Sequence, residues 1–457
     1  MTNRLDRDFH LPGLLRFALP TIIMMLVVSL YTIVDGVLIA RLVGENALAA
    51  ANVAYPAISF TLAMGIMLGT GGSAVVAHKM GAGYLEEARR DFGFLALVAV
   101  CIGLAVCLAG ALFAGPLARL LGASDLLLDD TVTYLRVQLC FAPMAMLQLL
   151  FESFFVTAGR PGLGLGLATA AGVTNAVLDY LYMGPMQMGI LGAALGTVTG
   201  YSIPAVVGVL FFLLRRQGLR FGRPHGDLRM LGRACFNGAS EMVTNLSMAV
   251  TTFLFNAIMM AYLGEAGVSA ITIVLYAQFL LVALYMGFSM GVAPVFSFNR
   301  GAGRYDRMRR IFGYCLRFIL VSSVAILAVA LALSGVVVGI FSTPGSQVYD
   351  IALDGFRRFA PAFLFAGVNI FSSALFTALS DGRTSAIISF ARTFGFLLLG
   401  LLLLPRLLEV DGVWLAVPLA ELLSCLLSVW FLRRKRADFG FGGGDLPRHG
   451  GRGGGRT

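Results

Sequence analysis

Gly81-Ala82-Gly83-Tyr84-Leu85-Glu86-Glu87-Ala88-Arg89-Arg90-Asp91-Phe92 and Gly301-Ala302-Gly303-Arg304-Tyr305-Asp306-Arg307-Met308-Arg309-Arg310-Ile311-Phe312 are the two stretches on which the reading of this chain turns. They share a Gly-Ala-Gly turn, a pair of arginines and a phenylalanine at an offset of 220 residues, 81 to 301. The same offset carries Gly44-Glu45 onto Gly264-Glu265, Phe151, Ser153, Thr157 and Ala158 onto Phe371, Ser373, Thr377 and Ala378, and Gly192 onto Gly412. One register held over that distance marks an internal duplication. Neither Gly-Ala-Gly follows a strand, so helix turns explain these glycines better than a phosphate cradle does.

Each copy is too apolar for water. The chain is 58% hydrophobic and 13% charged, with a mean hydropathy of +0.86, whereas soluble domains are about half apolar and a quarter charged. Many of these side chains must therefore face lipid. Apolar stretches of the length that crosses a ~30 Å hydrocarbon layer lie near 13–41, 46–77, 87–115, 131–157, 162–184, 189–214, 234–262, 267–298, 309–341, 351–379, 384–408 and 411–432. Hydrophobicity on all sides fits helices, which satisfy their own backbone polar groups. The expected fold is thus an all-α polytopic membrane protein of twelve transmembrane helices in two six-helix bundles. Because six is even, both copies enter the membrane in the same sense, and the bundles are parallel, related by an axis along the membrane normal.

The expected boundaries are an N-terminal lobe over 1–216, a linker over 217–233 broken by Gly222 and Pro224, a C-terminal lobe over 234–436, and a Gly-rich basic tail over 437–457. The tail reads as disordered and solvated, with RNA or anionic lipid as the alternatives. A net charge of +10 could point to nucleic acid, but most of it is arginine in short loops, which makes it a topology signal. With the N-terminus inside, Arg4, Arg7, Lys79, Arg89, Arg90, Arg160, Arg215, Arg216, Arg300, Arg304, Arg383 and Arg433 fall on one side, and far fewer cations on the other. Both termini are therefore expected in the cytoplasm, in a multi-pass protein of the inner (plasma) membrane. The first span lacks a small-residue cleavage site and is expected to stay.

Enzyme chemistry is not expected. His10, His78, His225 and His449 fall in termini or loops, and the six cysteines are scattered without a CxxC pair or metal-ligand spacing.

A few ionisable groups interrupt the apolar spans, at a cost of about 2.5–3.5 kcal/mol each on insertion scales, and such groups face cavities or bundle interiors. Asp35 is near the outer end of the first span and Asp179 near the outer end of the fifth. Asn175 shares a helical face with Asp179, as Tyr134 does with Gln138 on the fourth span, and Thr197 begins the sixth at similar depth. These six can converge on a cation pocket in the outer half of the first lobe. The offset puts Phe255, Gly395, Leu399 and Val417 opposite Asp35, Asn175, Asp179 and Thr197. A cluster that merely held a bundle together should recur in both bundles, so its loss from the second favours function over a structural polar network.

Glu421 and Arg392 can pair across neighbouring spans. Glu152, four residues after Gln148, and Glu241 at the start of the seventh span can attract cationic substrates, or Glu241 can serve its helix N-terminus. Met64, Met286 and Phe288 suit a deformable cavity or ordinary packing. Pro20 can bend the first span or kink it statically.

The order of Ala18-Leu19-Pro20, Ser29-Leu30-Tyr31, Val34-Asp35-Gly36, Val43-Gly44 before Ala47-Leu48-Ala49-Ala50, Gly81-Ala82-Gly83, Ala158-Gly159-Arg160-Pro161, Asn175 with Asp179, and Gly192-Ala193-Ala194 resembles the multidrug and toxic compound extrusion (MATE) family over all twelve spans. The pattern is similar to the prokaryotic branch whose N-terminal lobe holds the coupling-ion site. That resemblance implies a monomeric antiporter exporting drug-like organic cations against protons or sodium ions, with no cofactor and no metal beyond sodium. The role of an acidic residue deeper in the seventh span, found in other branches, is not carried onto Glu241. The alternative, a flippase or exporter of lipid-linked sugars, should have a basic cavity for diphosphate, and only Arg392 and Arg136 are candidates.

Overall fold

The structure, a computed structural model, describes residues 4–436 and 438. Among them the chain is helical, with no strand. The helices are α1 (Leu11–Leu42), α2 (Glu45–Gly81), α3 (Leu85–Leu120), α4 (Leu128–Cys140), α5 (Ala142–Thr157), α6 (Pro161–Met183), α7 (Ile190–Leu214), α8 (Leu228–Gly301), α9 (Tyr305–Ala332), α10 (Ser334–Gly339), α11 (Gln347–Phe359), α12 (Ala362–Ala378), α13 (Gly382–Phe390) and α14 (Leu398–Arg434), with a π-helical stretch Ala391–Leu397 between the last two. The tail over 437–457 lies outside the described residues, 438 apart.

Among the described residues, eight helices are long and apolar enough to cross a membrane, and the pairs α4/α5 and α11/α12, each bent by 55°, raise the number to ten. Two of the eight are hairpins. A straight α8 of 74 residues would be about 110 Å long, yet Asn237 Nδ2 donates to Thr377 O at 2.6 Å while Ser297 Oγ donates to the adjacent Ala378 O at 2.7 Å. The chain therefore turns back at Gly264, whose φ of 64° is open to glycine. Helix α14 folds back at Glu409, so that Gly400 meets Ala416 and Gly412 meets Leu404. Ten and these two give the twelve spans read from the sequence. The bends at Phe141 and at Ala360-Pro361 are not visible as gaps in the apolar pattern. Nor is the start of α8 at Leu228, inside the expected linker, where the Asp227 carboxylate caps the helix by accepting from Arg229 N and Met230 N at 2.9 and 3.0 Å.

The duplication is written into the packing. Gly81 is so close to the Phe298 carbonyl that a Cβ would overlap it, and Gly301 stands in the same relation to the His78 carbonyl; each pair is the other displaced by 220. Gly71 packs on Gly238, and Gly291 packs on Ala18, again on positions 220 apart. These small residues let the two halves touch backbone to backbone at the end carrying the Gly-Ala-Gly loops, the basic end.

The two halves part at the opposite end. Leu68, Val76 and Met80 share one apolar core with Val292, Val295 and Phe296 from the other half. Farther along, the core splits in two: Ile39, Ala47, Tyr134 and Ala193 lie in one, and Phe255, Ile271, Phe359 and Trp414 in another. The molecule is closed at the basic end and splayed beyond it.

The segment before α1 crosses over at the closed end. Leu5 and Phe9 are buried, Asp6 pairs with Arg304, and Asp8 with Arg310 at 3.1 Å. The linker is tied instead to the first half: Phe221 stacks on Phe92 at 4.8 Å, and Gly222 N donates to Arg89 O at 3.0 Å.

Candidate functional site: a carboxyl pocket and a central cavity

Helices α1 and α6 pack closely because Gly172 admits the Tyr31 ring, and this brings Asp35 against Asp179. Asn175 Nδ2 donates to Asp179 Oδ2 at 2.8 Å, one helical turn away. Asp179 is fully buried. Helix α7 closes the third side with two glycines: a Cβ at Gly196 would overlap Asp179 Oδ1, and one at Gly200 would press on Asn175 at 3.3 Å. From α4, the buried Tyr134 faces the Gln138 and Thr197 side chains and both carboxyls. All six residues expected in the pocket come together.

One oxygen on each acid, Asp35 Oδ1 and Asp179 Oδ1, is buried with no hydrogen-bond partner. The two carboxyls are in contact with each other, and two carboxylates that close repel unless a proton or a cation is shared between them. The surrounding donors are carboxyl, phenol, hydroxyl and amide groups, a hard set suited to a proton or an alkali ion. Among the described residues no group of three His, Cys, Asp or Glu forms a transition-metal site.

Tyr201 belongs to this pocket too, beside Tyr31, Tyr134 and Asp35. Its residue type gave no signal. Gly196 and Gly200 could have been noticed: four residues apart, they become Ala416 and Ala420 in the half that lacks the acids.

Between the two halves lies a cavity of about 250 Å³ whose wall includes Met25 and Glu152 from one side and Glu241, Phe279, Met286 and Met290 from the other. A second cavity of about 190 Å³ within the second half shares Glu241 and Met286 and adds Arg392 and Glu421. Arg392 is neutralised: its Nε donates to Glu421 Oε1 at 2.8 Å, while Asn369 Nδ2 donates to Glu421 Oε2 at 2.6 Å and Ser428 Oγ to Asn369 Oδ1 at 3.1 Å. The ionisable groups of the central wall are therefore both acids, Glu152 and Glu241.

Met64 packs half-buried on the shared core, and Phe288 is fully buried, its ring 4.5 Å from that of Phe318; neither is among the lining residues of either cavity. Both were candidates because Met and Phe look alike in core and cavity. Helix α1 runs unbroken through Pro20, next to the turn where Gly287 and Gly291 meet Thr21. Arg136 is exposed and lines neither cavity.

Two helical halves that meet at one end, enclose a cavity between them and bury a pair of contacting acids in only one half have the form of a membrane transporter. The family model MatE matches residues 20–181 and 242–402, once in each half. The chain belongs to the MatE family. It is 23% identical over 434 residues to the multidrug export protein MepA of Staphylococcus aureus (strain NCTC 8325 / PS 47), spanning 92% of this chain and 94% of that one. The multidrug export protein MepA of Staphylococcus haemolyticus (strain JCSC1435) is 23% identical over 428 residues, 92% of each chain. Among solved structures, an outward-facing conformation of a multidrug resistance MATE family transporter of the MOP superfamily superposes with a TM-score of 0.87 at 18% identity, over 96% of this chain and 99% of that one. A MOP superfamily transporter from Pyrococcus furiosus Vc1 (DSM3638), described by the reverse polarity of its binding pocket, gives 0.86 at 19% identity, over 93% and 96%.

Proposed function

We propose that this transporter exports drug-like organic cations in exchange for protons or sodium ions. The observation that carries the reading is the buried pair Asp35 and Asp179 in one half, together with a cavity between the halves whose acidic groups are Glu152 and Glu241. A cavity that mixes apolar side chains with hydroxyls, and whose ionisable lining residues are both acids, favours an amphiphilic cation. The relatives named multidrug export proteins support the same substrate class.

By the positive-inside rule the basic end faces the cytoplasm, with both termini inside and the protein, a monomer, in the plasma membrane. The splayed end is then the outward-open mouth. The moving bodies are the lobes 1–216 and 234–436, rocking about the Gly81/Phe298 and Gly301/His78 contacts. In the outward-open state the acids take up a proton or sodium ion, which relieves their mutual repulsion and favours release of drug. Rocking opens the basic end, exposes the pocket to the inside and returns the ion, and the carboxyls are again unneutralised when the next drug binds. Asp35, Asn175, Asp179, Tyr134, Gln138 and Thr197 bind the ion; Glu152, Glu241 and Met286 face the drug; Arg392 and Glu421 hold the second lobe together. A lipid-diphosphate flippase is disfavoured because, among the described residues, the central cavity is lined by two glutamates and by no arginine.

The deciding assay is efflux of an ethidium-like dye from vesicles holding the purified protein, under separately imposed proton and sodium gradients. Exchange requires that at least one gradient drive the dye uphill. Dye movement indifferent to both gradients contradicts it.

A further inference from the structure

Two thiols that the sequence scatters meet in the fold. Helix α3 crosses the break between α4 and α5 at very short range: a Cβ on Gly103 would overlap the Pro143 backbone, and one on Gly110 would overlap the Leu139 side chain. Cys107 lies between these two glycines on α3, and Cys140 lies between Leu139 and Pro143 at the break, whose two helices are bent by 55°. There the two thiols are in contact, and both are free. Neither is walled off. Each is half-exposed, Leu104, Leu108 and Phe141 around them are exposed, and none of these residues lines either cavity, so this side of the crossing faces the hydrocarbon. Arg136 precedes Cys140 by one turn on the same face of α4 and is exposed as well. A cation held within a span is costly and marks function. The offset of 220 puts Leu327, Phe356 and Ala360 opposite Cys107, Arg136 and Cys140, so the second half keeps the break and lacks both the thiols and the cation.

We propose that Cys107, Cys140 and Arg136 form a lipid-facing dithiol site at which a membrane-dissolved quinone oxidises the two thiols to a disulfide. Two S–H bonds break and one S–S bond forms, and the two protons and two electrons convert both quinone carbonyls into the hydroxyls of a hydroquinone. The surrounding leucines admit an apolar oxidant and exclude a hydrated one. The guanidinium, whose N–H groups are donors only, supplies a hydrogen bond to the carbonyl oxygen that gains charge as the electrons arrive. A disulfide needs Cα atoms about 4.4–6.8 Å apart, a separation met only where two helices cross closely, as the glycines make them do here. The bond ties α3 to the break, and with it α4, which carries Tyr134 and Gln138 of the carboxyl pocket. This site stands apart from the exchange reading, and neither depends on the other.

The test uses the full chain in lipid vesicles without oxygen, with a short-chain ubiquinone added to the bilayer or oxidised glutathione added to the water. After quinone, digestion and mass spectrometry should find Cys107 joined to Cys140 with the loss of two hydrogens, and one hydroquinone should appear per disulfide. Oxidised glutathione should form the bond at least about tenfold more slowly, because thiol–disulfide exchange needs access to the sulfur. Arg136→Gln should slow oxidation by quinone about tenfold, the worth of one hydrogen bond to a charged group, and leave oxidation by molecular iodine, which has no carbonyl, at the wild-type rate. Cys107→Ala should yield no hydroquinone. Wild-type thiols that stay open to alkylation after quinone overturn the site, and that result needs no variant to fold. Oxidation by glutathione as fast as by quinone overturns entry from the lipid. An Arg136→Gln protein slowed equally with quinone and iodine, or with neither, overturns the role given to the guanidinium.

Discussion

Asp179 and Gly196 occupy adjoining space: a Cβ on Gly196 would overlap Asp179 Oδ1. The buried acid is thus admitted by the absence of a side chain on the facing helix, and in the second half, where Leu399 replaces the acid, the facing residue is Ala416. Gly196→Ala should displace Asp179 and cost about 1–3 kcal/mol by overpacking. Thermal unfolding in detergent should show the loss, and gradient-driven efflux should fall with it. Wild-type transport by this variant would mean that the position of Asp179 is immaterial.

Asp35→Asn and Asp179→Asn keep the shape of the pocket but remove its charge. Each should lower gradient-driven drug efflux in vesicles by at least about tenfold, the effect of roughly 1.4 kcal/mol of lost coupling, while leaving drug binding to the central cavity measurable. Wild-type rates in both variants would count against ion exchange at this pocket.

The Arg392–Glu421 pair is assigned to structure. Arg392→Met leaves the 4%-exposed Glu421 without its cation and should destabilise the protein by about 3–5 kcal/mol, whereas Arg392→Met with Glu421→Gln should recover much of this. Thermal melts of the single and double variants test the assignment. A double variant no more stable than the single one would point instead to a role for the guanidinium itself.

The contact of Gly81 with the Phe298 carbonyl holds the basic end shut. Gly81→Val should force the two halves apart there and favour the opposite state. A cysteine at Thr70, in the cavity wall, reports this: an impermeant thiol reagent added outside should label it several-fold more slowly in the Gly81→Val background. Unchanged labelling would place the hinge elsewhere.

Much of this was legible in the sequence because membrane proteins obey few, strong rules. Twelve apolar lengths, one offset of 220 and the lopsided arginines suffice for the architecture, since lipid leaves the backbone no alternative to helices. The acids were legible for the same reason: in apolar surroundings a lone Asp is conspicuous, and its absence from the duplicate is more so. Tyr201, Gly196 and Gly200 were not, because tyrosine and glycine are ordinary in membrane helices and only their neighbours give them a role. Met64 and Phe288 illustrate the converse limit, since apolar side chains carry no mark that separates a cavity wall from a core. The breaks at Phe141 and Ala360-Pro361 were invisible because hydropathy records composition and not direction.

The central claim is that drug and coupling ion are linked through the acids of one lobe. Its most direct measurement is the proton or sodium ion released when a saturating cationic drug is added to purified protein in weakly buffered detergent solution. Wild type should release ions of one kind, and Asp35→Asn with Asp179→Asn should release none while still binding the drug. Equal release from both proteins, or none from wild type, would contradict the account.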